Sequence, residues 1–313
     1  MMAVPLILDV DTGVDDAAAI AFALSKGANL IGVSTVAGNV PVDVATRNTL
    51  DVLHYFGRSD IPVHRGATRA LVASYRAATE VHGGNGLGGA QFPESGERAA
   101  SLAGPAFIIE SAAKHAGDLV LVMLGPLTNL AIALNVRPEI VRQVRQVVVM
   151  GGAYTVPGNV TPHAEFNVYA DPHAAQQVFD AHWEQLTLVG LDVTHRTVFS
   201  REAWSRIPTG MDGAAGFVRA IMERTFTERD MSGFYLHDPL AVAVALDPTI
   251  VSGTPRLVKV HTDEVHRGQT VALEGESRAM VATEVNAGRF VRDLSETLGL
   301  PLVDSVVGHE RAE

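Results

Sequence analysis

The chain contains no cysteine. Disulfides, thiolate metal sites and a cysteine nucleophile are thereby excluded. Lysine is scarce as well: Lys26, Lys114 and Lys259 are the only three, and there is no basic run. With 24 Lys and Arg against 35 Asp and Glu, the formal net charge is −11. That balance disfavours polyanionic partners, both nucleic acid and anionic lipid. No apolar stretch approaches the roughly 20 residues of a membrane span. The opening MMAVPLILDV has no basic segment, and Asp9 breaks its apolar run, so it does not read as an export signal. The expectation is a cytoplasmic protein with no nucleic-acid and no membrane partner.

What the chain does have is 47% hydrophobic residues over 313 positions, enough for a large core. Short apolar runs alternate with longer amphipathic ones. VPLIL (4–8) reads as a buried strand and DDAAAIAFALSKG (15–27) as a helix ending at Gly27. NLIGVSTVAG reads as a second strand, followed by a helix that starts at Pro41. DLVLVML, QVVVM and QLTLVGLDV (185–193) are strand-like, PLTNLAIALNV is helical, and 201–246 is helix-rich. After Leu246 the pattern loosens, with strand-like RLVKVHT and GQTVAL and a last helix near 286–298. Strands alternating with helices predict an α/β fold: a mostly parallel, Rossmann-like central sheet with helices on both faces and peripheral additions.

In such sheets ligands bind beyond the carboxyl ends of the strands, and the active site is expected there. The first loop at that edge, ILDVDTGVDD, carries Asp9, Asp11, Asp15 and Asp16. Acidic residues suit a first helical turn because of its unpaired N–H groups, which accounts for one or two of them. A hard divalent cation such as Ca²⁺, with roughly six to eight oxygen ligands, accounts for four. Asp9 is expected to be structural, since alternate strand side chains point apart. In VAGNV, Gly38 is expected to let the backbone turn and Asn39 to cap the next helix. HGGNGLGG (82–89) lacks the preceding strand and following lysine of a phosphate loop. It reads as a flap over a pocket, and His82 alone would be an incidental surface histidine. After VML, the turn at Gly125-Pro126 frees a strand-end carbonyl.

The loop 150–172 is long enough to suggest function. Asp171-Pro172 reads as a helix start, while Asn159, Glu165 and Asn167 suit sugar hydroxyls. In YLHDPLAV, Asp238 reads as a helix cap. It is also a third carboxylate for a cation, and His237 beside it can serve as a general acid.

DVDTGVDDAAAI, VAGN, HGGNGLGG, GPLTNLA, GNVTPHAEFNVYADPHAA and LHDPLAV occur in that order. In these blocks the chain resembles the inosine–uridine preferring nucleoside hydrolases, from about residue 7 to residue 246 and more weakly beyond. Thr12 stands where many members carry proline. The resemblance implies one nucleoside-hydrolase-like domain over 1–313, splitting the N-glycosidic bond of ribonucleosides into ribose and free base in purine and pyrimidine salvage. It implies a Ca²⁺ held by Asp11, Asp16, Asp238 and the Leu124 carbonyl, with the ribose 2′- and 3′-hydroxyls and one water completing the shell. Asp11 would take a proton from that water. Asp15 and Asn39 would hold ribose hydroxyls on one side, and Asn159, Glu165 and Asn167 those on the other. His82 and His237 would lie near the leaving base, with His237 as its acid. Base preference would depend on the flap at His82 and on the segment bearing Thr225, Arg229 and Tyr235, with a lean toward pyrimidine nucleosides and inosine. A homodimer or homotetramer would be usual.

Two rival readings use the same residues. ILDVDTGV also resembles the opening of haloacid-dehalogenase-type phosphatases, in which Asp9 would attack phosphate and Asp11 act as acid and base. That reading needs a later lysine and acidic pair in contexts that Lys114, Lys259 and LVDSVV do not supply. The other rival is a Ca²⁺-dependent nucleoside binder without hydrolysis, which would have no need of Asp11 as a base.

Overall fold

The computed structural model describes residues 4–72, 83–276 and 279–302. The strands are β1 (Pro5–Val10), β2 (Asn29–Thr35), β3 (Val63–Arg65), β4 (Leu119–Met123), β5 (Val144–Met150), β6 (Leu186–Val189), β7 (Val198–Ser200), β8 (Gly233–Tyr235), β9 (Val251–Val260), β10 (Thr270–Leu273) and β11 (Ala279–Val285). Nine of them form one sheet in the order β10-β9-β11-β6-β5-β4-β1-β2-β3. Every neighbouring pair from β11 to β3 is parallel, and β9 runs antiparallel to both β10 and β11. The mostly parallel α/β architecture expected from the sequence is therefore present.

The strands read as continuous apolar runs because both sheet faces are covered, leaving no polar side to alternate with. β1 shows the division: Leu6, Leu8 and Val10 enter one core and Ile7 the other. The first core packs helices α1 (Val14–Ser25), α2 (Val42–Tyr55), α9 (Gly213–Thr227), α10 (His237–Leu246) and α11 (Ala287–Leu298). The second packs α3 (Gly104–Lys114), α4 (Thr128–Val136) and α6 (Pro172–Asp180). The described residues also form the short helices α5 (Phe166–Ala170), α7 (Leu191–Thr194) and α8 (Arg201–Ser205). Among the described residues no helix is long and apolar enough to cross a membrane.

The run β3-β2-β1-β4-β5-β6 is the doubly wound order, in which the chain leaves β1 in opposite directions. The crevice this opens lies between the carboxyl ends of β1 and β4.

Several elements depart from the sequence reading. The strand expected over 185–193 stops at Val189, because the chain turns at Gly190 into α7, the Gly190 carbonyl accepting the N–H groups of Val193 and Thr194. The helix-rich stretch 201–246 contains β8, which pairs with β7 as a separate two-stranded sheet. Elements of three residues carry no periodic signal, and β3 escapes detection for the same reason. β11 was not expected, although it joins the antiparallel edge to the parallel sheet. Its sequence AMVATEV mixes buried and half-exposed positions, and its register with β9 shifts between Ala282 and Glu284.

Candidate active site

The first loop leaves β1 and enters α1 within four residues. Asp16 does cap this turn: its carboxylate accepts the N–H groups of Gly13 (2.9 Å) and Asp11 (3.1 Å). Asp11, fully buried, accepts from the Asn39 backbone N–H (2.6 Å) and side-chain amide (3.1 Å). The same amide reaches Asp16 (3.2 Å). Asn39 therefore bridges two carboxylates rather than capping α2, whose N-cap position is Pro41. Its side chain points back over β1 because the loop passes close there.

Gly38 is needed for space rather than for turning. A Cβ at this position would lie 2.0 Å from Asp11 Oδ2 and 2.7 Å from Pro126 Cδ. We expect Gly38→Ala to push Asp11 or Pro126 aside and to destabilise the fold by about 1–3 kcal/mol, the usual cost of overpacking a buried site, read as a lowered melting temperature. An unchanged melting temperature would show that these neighbours yield without cost.

Asp15, in the first turn of α1, accepts the backbone N–H groups of Asp238 (2.7 Å) and His237. The start of α10 is thereby fastened to α1, and Asp238 is brought beside the first loop. Asp238 lies inside α10, whose N-cap is Leu236, so it is not the cap expected of it. Asp9 stands apart. Its Oδ2 accepts from Ser34 and from Asn129 (2.8 Å), pinning β1 to β2 and α4. It is fully buried and held by these two partners, outside the Asp11–Asn39–Asp16 cluster, which lies just beneath the cavity-lining Asp15 and Asn39.

These carboxylates share one electrostatic condition. Burial raises Asp9 to about 7 and Asp16 to about 6, from an ordinary 3.8. Burial also drives Asp11, Asp15 and Asp238 well above the usual range, and repulsion from neighbouring aspartates adds to the rise. None of the ion pairs among the described residues involves any of the five. Asp15 Oδ1 is buried without a hydrogen-bond partner. Carboxylates at this depth stay ionised together only opposite positive charge. Among the described residues no ion-pair partner supplies that charge, whereas a hard cation matches an all-oxygen donor set.

A cavity of about 510 Å³ opens on this cluster. Asp15, Asn39, Leu124, Asn167 and Asp238 line its floor, with Asn159 and Glu165 at one side. The Leu124 carbonyl accepts from the Asn167 side-chain amide (2.7 Å). Glu165 has a structural role the sequence did not suggest: its carboxylate accepts three backbone N–H groups, from Asn167, Gly152 and Val168, and caps α5. Asn159 accepts from the Phe166 N–H (2.9 Å), fixing the loop tip. Asp171 caps α6 through the Ala174 N–H, as expected, and also accepts from the Thr128 hydroxyl.

The opposite wall holds Thr225, Arg229, Phe234, Tyr235, His195 and His237. The His195 ring centroid lies 4.5 Å from that of Tyr235 and 5.8 Å from that of His237, and His237 Nδ1 is 2.7 Å from the Thr194 hydroxyl. Burial lowers the pKa of His195. The sequence reading did not single out His195, though it follows β6 at the same carboxyl edge and the strand-end rule could have found it.

His82 lies outside the described residues. The described part of its motif, 83–89, is packed down rather than standing as a flap. Leu87 is buried, the Asn85 carbonyl accepts from Asn48 (2.9 Å), and Asn85 Oδ1 takes the N–H groups of Leu87 and Gly89. Those amides are thus not free to cradle phosphate. A larger cleft, about 1030 Å³, lies at the amino ends of the strands near Lys26, Asp247, Arg289 and Asp293. These four charges are already paired with one another, and none of the strand-end carboxylates faces it.

Residues 6–292 match the family model described as inosine-uridine preferring nucleoside hydrolase. The chain belongs to this family. It is 38% identical to the non-specific ribonucleoside hydrolase RihC of Klebsiella pneumoniae, over 96% of this chain and 99% of that one. It is 36% identical to a probable uridine nucleosidase 2 of Arabidopsis thaliana, over 89% and 88% of the two chains. The solved purine-preferring ribonucleoside hydrolase from Gardnerella vaginalis superposes with a TM-score of 0.86 at 35% identity, over 94% of this chain and 98% of that one. The protein is accordingly an N-ribosyl nucleoside hydrolase, and the strand-end cavity is the candidate for its active site.

Proposed function

We propose that this nucleoside hydrolase is Ca²⁺-dependent and cleaves both purine and pyrimidine ribonucleosides, favouring uridine and inosine. The observation that carries the reading is a buried carboxylate floor facing an imidazole and aromatic wall across one cavity. The same reading takes the chain as a single domain, working in the cytoplasm as a homodimer or homotetramer.

Breaking the N-glycosidic bond places oxocarbenium character on the ribose. Asp15 on the floor, and Asp11 buried behind Asn39, stabilise that positive charge where the low dielectric strengthens the attraction. Asp11, as an ionised carboxylate, also accepts a proton from the attacking water. Asp15, Asn39, Asn159, Glu165 and Asn167 orient the ribose hydroxyls. A cation held by Asp11, Asp16, Asp238 and the Leu124 carbonyl would supply Lewis acidity and the charge that keeps these carboxylates ionised. The departing base takes up a proton from His237, whose ring is oriented by Thr194. The lean toward uridine and inosine rests on the histidine pair His82 and His237; names of similar proteins cover uridine, purine and non-specific preferences.

The direct test is incubation with a panel of nucleosides and chromatography of the released bases. Uridine and inosine should both be cleaved. 2′-Deoxyuridine should fall behind uridine by on the order of 10³–10⁴-fold in kcat/KM, because a site built for a hydroxyl is left with unpaired polar groups. Equal rates on ribose and deoxyribose would reject the floor as the ribose site.

His237→Ala should slow uridine hydrolysis by about 10²-fold or more. A nitrophenyl riboside, whose leaving group needs no proton, should be far less affected. A uniform loss on both substrates would count against His237 as the acid.

A further inference from the structure

The loop between β9 and β10 gathers His261, Asp263 and His266. Their ligand-type atoms all lie within 4.8 Å of one another. His261 Nδ1 is 3.4 Å and His266 Nδ1 is 3.2 Å from the two oxygens of the Asp263 carboxylate. The ring centroids are 5.4 Å apart. The loop is closed on itself by backbone bonds between His261 and Gln269, His261 and Gly268, and His266 and Gln269. Asp263 also accepts the N–H groups of Val265 and His266. Those backbone bonds alone would make an ordinary aspartate turn. Two imidazoles, one on each side of Asp263 in the loop, converging on its carboxylate are more than such a turn needs.

We infer that His261, Asp263 and His266 form a surface site for a borderline divalent transition metal of the Zn²⁺ class, separate from the carboxylate floor. Two imidazoles and a carboxylate suit Zn²⁺, Co²⁺ or Ni²⁺, whereas Ca²⁺ and Mg²⁺ prefer oxygen alone. The three side chains are 43–51% exposed, so solvent can reach the ion and water can complete its shell. The loop is joined to the cavity wall. Gln269 pairs with Ala164, Arg267 donates to the Tyr169 carbonyl (2.9 Å), and its guanidinium lies 4.4 Å from the Tyr169 ring centroid. A bound metal ties both ends of this brace together and steadies the segment that carries Glu165 and Asn167.

The test is calorimetric titration of the full chain with ZnCl₂ in saturating CaCl₂, which keeps the oxygen donors of the floor occupied. The wild type should bind one more Zn²⁺ per chain than the His261→Gln/His266→Gln variant. Zn²⁺ should raise the melting temperature of the wild type and leave that of the variant unmoved. With Co²⁺ in place of Zn²⁺, visible ligand-field bands should appear in the wild type and be absent in the variant. Neither histidine lines the cavity, so undiminished hydrolysis without zinc reports a folded variant; Asp263→Asn serves if the double variant folds poorly. Equal zinc stoichiometry in wild type and folded variant, or no zinc uptake by the wild type, would overturn the site.

Discussion

Asp11→Asn is expected to lower turnover by about 10³–10⁴-fold, the range of a lost general base. The change is nearly isosteric, and it keeps an oxygen to accept from the Asn39 backbone. On the proposed mechanism it removes the charge beneath the ribose, the acceptor for the water's proton and one anionic ligand together. These effects act on one transition state, so they do not add as independent losses. Folding should survive, because the carboxylate is destabilised by burial and by Asp16 rather than stabilising in its own right. Steady-state kinetics beside thermal melting checks this. A variant that melts normally and retains more than about a tenth of wild-type turnover would remove Asp11 from the role of base.

Removal of the bound cation by a strong chelator is expected to abolish activity and to reverse the usual dependence of stability on pH. Asp9 and Asp16 have folded-state values of about 7 and about 6 against 3.8 for an ordinary aspartate, with burial as the main cause. A raised carboxyl pKa means that the folded form binds more protons than the unfolded one between those limits. Stability therefore falls as pH rises from about 4 through about 7 on account of these two groups, and Asp11, Asp15 and Asp238, also raised by burial, act in the same direction. The chelated protein should melt several degrees higher near pH 5 than near pH 7.5. Added Ca²⁺ should raise the melting temperature most at the higher pH, where the carboxylates it neutralises are ionised. Scanning calorimetry at both pH values, with and without Ca²⁺, reads all of this at once. Full activity after verified metal removal, or a chelated protein that gains stability on going from pH 5 to 7.5, would exclude a cation on the carboxylate floor.

The parallel core was legible in the chain because it is written in long, strong signals. VPLIL, LVLVM and QVVVM are buried on both faces, and the helices between them end at glycines or begin at prolines. The edge was not legible. β11 is half-exposed and kinked in register, and β3, β7 and β8 are three residues each, so side-chain patterning says little there. In the site, the carboxylates of the first loop stood out because four acidic residues in ten are costly without compensation. Individual duties were misjudged wherever a local explanation was to hand. Asn39 looked like a cap and is a bridge between Asp11 and Asp16. Gly38 looked like a turn residue and is a gap left for the Asp11 carboxylate. Glu165 looked free for sugar and also holds the start of α5.

The sequence by itself determined the kind of fold, the edge at which chemistry would occur and the family to which the protein belongs. These follow from periodicity and from ordered blocks of residues, which need no knowledge of distance. Only the tertiary structure decided which aspartates act together. Asp15 and Asp238 are 223 positions apart, yet the side chain of one accepts the backbone N–H of the other. That contact follows from packing α10 against α1, and packing sets the burial that raises these carboxyls. It likewise set His195 beside Tyr235 and His237, rings from two separate segments whose shared wall no local pattern could announce.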